Sequence, residues 1–198
     1  MLFRSTENPW EAFACKTARK LDADFSLVSW SGNGIISHYV DPSVNERRVE
    51  NGLMPDIYPY ADFDLFRRKE ILPSPEWEYK REPDIIVINL GTNDASYTRG
   101  MRDRGQLFGQ EYEKFLHQIR DRHPKATVIG VYGMMNPDLN EEIKTLYENM
   151  HKTDARMLSI EMPLQSAADG MGADFHPSKY THERTAARLA RFIRELEL

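Results

Sequence analysis

The sequence predicts an α/β protein with a parallel sheet and helices on both of its faces. Two observations carry this. From residue 84 onward, short apolar runs alternate with segments whose apolar residues recur at helical spacing. The runs are also continuous rather than alternating, as expected for strands buried on both sides.

The elements follow in order. Asn8 can cap a first helix, Pro9 suits its first position, and Trp10, Phe13, Ala14, Thr17 and Leu21 fall on one face. Asp24–Trp30 (DFSLVSW) reads as a strand, followed by the turn Ser31-Gly32-Asn33-Gly34. Residues 35–82 are rich in proline and aromatics and read as irregular, with a short helix near Met54–Tyr60. Strands are then expected at Asp84–Leu90 (DIIVINL), Thr127–Tyr132 (TVIGVY) and Arg156–Glu161 (RMLSIE). Helices are marked by Tyr112, Phe115, Leu116 and Ile119, by Ile143, Leu146, Tyr147 and Met150, and by Ala186, Leu189, Ala190, Ile193 and Leu196. No repeat or linker divides the chain, so residues 1–198 read as a single domain.

Composition removes several functions. The net charge is −5, with no basic stripe of the kind a nucleic-acid surface needs. No apolar run reaches the roughly 18 residues of a membrane span, and the N-terminal residues lack a signal-peptide core. Cys15 is the only cysteine, so an intrachain disulfide is excluded. Zinc lacks a ligand set, because His176 and His182 are six residues apart and share no helix face. No metal or cofactor is expected. His38, His117, His123 and His151 lie in polar contexts and read as surface residues.

Chemistry in open α/β sheets gathers beyond the carboxyl ends of the strands. Three loops qualify here. Gly32, in Ser31-Gly32-Asn33-Gly34, is either a plain turn glycine or a backbone donor to an oxyanion. Asn93, in Gly91-Thr92-Asn93-Asp94, is either part of a helix cap or a neutral amide donor. His176, in Asp174-Phe175-His176-Pro177, is either a structural histidine or a general base with Asp174 nearby.

Taken in order, SWSGNG, INLGTND and DFHPS resemble the Gly, Asn and His blocks of the SGNH (GDSL-type) hydrolase superfamily. The similarity is closest to its carbohydrate esterase family 2 branch, through TEN near Thr6, ADFSLVSWSGNGI, MPDIY, LPSPEW and PDIIVINLGTND. That resemblance implies a three-layer α/β/α flavodoxin-like fold and removal of acetyl groups from plant cell-wall carbohydrates. It implies oxyanion donors at Gly32 and Asn93 and a base at His176. It also implies substrate contacts among the aromatics, with Trp30, Tyr58, Trp77 and Phe175 as candidates.

The sequence departs from the family pattern in two places. The superfamily acid precedes the histidine by three residues, whereas Asp174 precedes His176 by two, so a main-chain carbonyl such as that of Phe175 can take over as orienting acceptor. The Gly-Asp-Ser block that carries the nucleophile is absent from residues 1–198. Ser29, Ser31, Ser96 and Ser178 are poor substitutes, since none follows a strand in a sharp turn. The expectation is therefore a domain truncated at its N-terminus, lacking its first, central strand, its serine and a preceding β-sandwich domain. The chain alone is expected to be inactive. Alternatives are a vestigial carbohydrate-binding protein, or a lipase or thioesterase of the same superfamily.

Overall fold

The computed structural model describes residues 8–41, 43, 47–60, 75–78 and 81–196. Among them the α-helices are α1 (Phe13–Leu21), α2 (Met54–Ile57), α3 (Thr92–Thr98), α4 (Arg102–Arg122), α5 (Asn140–His151) and α6 (Lys179–Arg194). Strands β1 (Ile85–Ile88), β2 (Thr127–Tyr132) and β3 (Met157–Glu161) form a parallel sheet in the order β1-β2-β3. The α/β class expected from the sequence is the class observed. Ile85 pairs with Thr127 and Ile88 with Gly130. Every residue of the central strand β2 is buried, which is why TVIGVY carries no polar alternation. In β1 only Ile88 is buried, and Val87 is 38% exposed.

Two compact units divide the chain. One comprises residues 28–131 and 138–159, the other residues 1–27, 132–137 and 160–198.

The core of the first of these is aromatic. Phe108, Tyr112 and Tyr147 are fully buried, and their rings meet edge to face: Phe108 on Tyr112 at 5.5 Å and Tyr112 on Tyr147 at 6.0 Å between centroids. Burial pushes the Tyr112 phenol up, out of its ordinary range, and the Tyr147 phenol likewise. Arg120 closes the sheet end, donating to the carbonyls of His123 and Ala126 and pairing with Asp154 at 2.8 Å.

In the other unit, α1 packs on α6. Phe13, Cys15, Thr17 and Ala18 are buried, as are Ala186, Leu189 and Ala190. Four ion pairs lace the two helices and the turn before α1. Lys16 lies 3.0 Å from both Glu11 and Glu183, Lys20 lies 2.6 Å from Glu183, and Lys179 lies 3.0 Å from Glu11.

Four expectations are corrected. Asp24–Trp30 joins no ladder among the described residues; residues 23–30 carry no regular secondary structure, and residues 22–29 are exposed. A strand is stabilised by a hydrogen-bonded neighbour, and its apolar residues alone do not supply one. The first helix begins at Phe13 rather than after Asn8. Pro9–Glu11 forms a separate tight turn, because Ala12 is extended (φ −71, ψ 154) and Asn8 makes no side-chain cap. Trp10 accordingly leaves the buried face and carries the Arg19 guanidinium, 4.1 Å above its ring. His123 is buried, not a surface residue; burial holds its pKa below the ordinary imidazole value, and Tyr58 packs edge-on against it.

Candidate active site

Gly32 has φ +81, a conformation that favours glycine, and a side chain there would meet open space rather than protein. Its carbonyl accepts from Tyr39 N–H at 2.8 Å, which fixes the peptide that follows. Among the described residues its own N–H donates to no backbone acceptor.

Asn93 sits in the first turn of α3, just after Gly91. Its side-chain Nδ2 donates to the Asn33 carbonyl at 2.8 Å. One N–H of the amide is thereby used, and the planarity of the amide fixes where the other points. The two loops are therefore joined by the Asn93 side chain and the Asn33 main chain.

Asp94 strengthens that junction. Its carboxylate is fully buried and accepts from three consecutive amides, Ile35 at 3.1 Å, Ile36 at 2.7 Å and Ser37 at 3.1 Å. Burial pushes the Asp94 carboxyl up, and the amide bonds oppose the shift. Gly34 is glycine because a Cβ there would run into this carboxylate and the Ser37 carbonyl. Ser96 completes the buckle: its hydroxyl donates to the Asn93 carbonyl at 2.5 Å and accepts from Val40 N–H at 2.8 Å. Ser96 is thus committed to structure. Ser178 is similarly the cap of α6, donating to the Asp169 carbonyl and accepting from Thr181 N–H. Ser29 and Ser31 are exposed.

His176 belongs to the other unit and is exposed. Its Nδ1 lies 3.1 Å from the Asp174 carbonyl oxygen and 3.2 Å from that of Ala173. A carbonyl only accepts, so Nδ1 carries the proton and Nε2 keeps a lone pair. Asp174 serves here through its main chain. The Phe175 carbonyl, considered as an orienting acceptor from the sequence, instead accepts from Gln165 Nε2 at 3.0 Å. The geometry depends on two successive left-handed residues, Asp174 (φ 54) and Phe175 (φ 58).

The aromatic candidates divide. Phe175 is 78% exposed. Trp77 is exposed, with its main-chain N–H donating to the Pro59 carbonyl at 2.7 Å. Trp30 is half-buried. Tyr58 packs edge-on against buried Phe115, a structural contact. Phe63, Phe66 and Tyr79 lie outside the described residues. Asp94 and Gln165 were not singled out from the sequence. Asp94 is visible only as the last letter of GTND, and Gln165 carries no motif. Among the described residues no cluster of His, Cys, Asp and Glu could hold a metal, and no helix is long and apolar enough to cross a membrane.

Residues 3–196 match the GDSL-like Lipase/Acylhydrolase family. The chain is 30% identical over 197 residues to "Cellulase/esterase CelE" of Acetivibrio thermocellus, covering 95% of this chain and 22% of that protein. It is 28% identical to an "Acetylxylan esterase / glucomannan deacetylase" of Cellvibrio japonicus, covering 96% of this chain and 49% of that one. The chain thus spans half or less of the length of these relatives. Its structure resembles a family two carbohydrate esterase from Clostridium thermocellum solved in complex with cellohexaose, with TM-score 0.80, 28% identity, and coverage of 96% of this chain and 55% of that one.

Proposed function

The chain belongs to the GDSL-like lipase/acylhydrolase family, and we propose on that footing that it is part of a serine-type esterase that removes acetyl groups from carbohydrates. The observation that carries this reading is the bond from Asn93 Nδ2 to the Asn33 carbonyl, which binds the two oxyanion loops together.

In the proposed reaction a serine hydroxyl attacks the acetyl carbonyl; the Gly-Asp-Ser block that carries it in the superfamily is not among residues 1–198. His176 Nε2 takes the serine proton. Gly32 N–H and the second Asn93 N–H bind the oxyanion as the carbonyl becomes tetrahedral; one such donor is worth about 3 kcal/mol in other hydrolases. His176 then returns the proton to the departing sugar hydroxyl. Water, deprotonated by the same nitrogen, cleaves the acetyl-enzyme and releases acetate. The Ala173 and Asp174 carbonyls keep Nδ1 protonated throughout and take the place of a triad carboxylate. A carbohydrate substrate is supported by the names of the relatives and by exposed Trp77 and Phe175, whose ring faces suit sugar stacking.

The test extends the protein upstream in frame and measures acetate release from acetylated xylan and glucomannan. The reading expects a Gly-Asp-Ser segment in the extension and release that falls about 10⁴-fold or more in His176→Ala. An extended protein that binds cellohexaose but frees no acetate would overturn it in favour of a carbohydrate-binding role.

A further inference from the structure

The turn that presents His176 is strained. Asp174 and Phe175 both adopt left-handed backbone, which costs energy for any residue with a Cβ and most for a bulky one. Such a conformation persists only where surrounding bonds over-determine it. On the near side Gly172 N–H donates to the His176 carbonyl at 2.8 Å, and His176 N–H donates to the Ala173 carbonyl at 3.0 Å. Those bonds lie within the turn. Gln165 reaches it from outside. Its side-chain Nε2 donates to the Phe175 carbonyl at 3.0 Å, while its main-chain N–H donates to the Met134 carbonyl at 2.8 Å. Gln165 therefore ties the strained turn to the segment that follows β2.

The position of that bond matters. The Phe175 peptide lies between the carbonyls that accept from His176 Nδ1 and the imidazole that donates to them. If it rotates, the imidazole that follows it swings away from the Ala173 and Asp174 carbonyls, and Nδ1 loses the acceptors that define its tautomer.

We propose that Gln165 is a positioning residue for His176: by holding the Phe175 carbonyl it keeps the left-handed turn, and so keeps the imidazole as the Nδ1–H tautomer with Nε2 ready to accept a proton. This rests on the reading of His176 as the base, but its test does not need hydrolysis. The 198-residue chain contains every group involved.

The measurement is the tautomer of each histidine from long-range ¹H–¹⁵N spectra of the labelled chain, at about pH 8, where imidazole is neutral. His182 is an internal reference of opposite sense, because its Nδ1 accepts from Phe13 N–H at 3.2 Å and so is unprotonated. The unsubstituted chain should show His176 mainly as Nδ1–H. Gln165→Ala and the isosteric Gln165→Glu, which removes the donor, should move the ratio about fivefold toward Nε2–H. Gln165→Lys, which keeps a donor on a stem of similar reach, should restore it. His182 should stay unchanged in all of them. The proposal falls if His176 is mainly Nε2–H in the unsubstituted chain, if Gln165→Glu and Gln165→Lys give the same ratio, or if His182 shifts alongside His176. Should Gln165→Ala fail to fold, the Glu and Lys pair decides alone. Loss of acetate release with these tautomers intact would strike the esterase reading and leave this one standing.

Discussion

Asn93 Nδ2 and the Asn33 carbonyl oxygen stand 2.8 Å apart, a bond that ties the first turn of α3 to the glycine loop 60 residues upstream. It uses one of the two amide protons and orients the other. An oxyanion donor needs this kind of fixation, because a donor that must reorganise during the reaction stabilises the transition state less.

Asn93→Ala in the complete esterase should therefore lower kcat about 10²–10³-fold with little change in KM. The lost bond to Asn33 should cost about 1 kcal/mol of stability. Steady-state acetate release and urea melts on the same variant separate the two effects. An unchanged kcat would remove Asn93 from the oxyanion site.

Asp94→Ala should act mainly on stability. Three buried amides, Ile35, Ile36 and Ser37, would lose their acceptor, each at about 1–3 kcal/mol if left bare. A total loss of about 3–5 kcal/mol is a large part of the 5–15 kcal/mol typical of a domain. The urea midpoint should fall with the m-value unchanged. A shift below about 1 kcal/mol would mean that the loop holds itself.

These two residues show where the sequence is legible. Asn93 and His176 stand out in the sequence because each lies in a short motif, Asn93 just beyond β1 and His176 just before α6. Asp94 is visible only as a letter, since its partners lie 57 to 59 residues away and nothing local names them. β2 was read to the residue because burial on both faces leaves a continuous apolar run. α4 was recognised only over its second half; its first turns, RDRGQ, are polar and hold a glycine, so no apolar face marks them. Asp24–Trp30 misled for the opposite reason. Its residues favour a strand, but pairing belongs to the neighbour and not to the segment. The left-handed turn at Asp174 and Phe175 has no sequence signal, because glycine and asparagine are the residues that usually announce one.

His182 ties α6 to the start of α1 through the Phe13 amide, and their rings stack at 6.2 Å. Burial lowers its pKa, with help from Lys16 and His176. A base whose folded pKa is depressed adds stability above its unfolded pKa, about 6.5, and loses it as pH falls through the lower folded value. Below that point the protonated Nδ1 no longer accepts. Hydrogen exchange at the Phe13 amide should accelerate there in the unsubstituted chain, while His182→Phe should exchange fast at every pH. A His182 titration midpoint at or above 6.5 would contradict this.

Glu183 extends the same helix pair into more acidic conditions. Lys20 and Lys16 hold its carboxyl down at about 2, against 4.5 for the free group. Its contribution is present above pH 4.5 and is lost as pH falls from there to about 2. The carboxylate is largely exposed, so water screens both pairs and the effect on the melting temperature is small, about 1–4 °C. Glu183→Gln should remove that increment at neutral pH and flatten the acid side of the Tm–pH curve. The Lys179 pair to Glu11 and the buried face between the helices remain in this variant, so α1 should stay on α6, with Phe13 exchange at neutral pH unchanged. If Phe13 exchange rose as well, the ion pairs and the His182 cap would act as one cooperative unit, and the two acid transitions expected of them would merge into one.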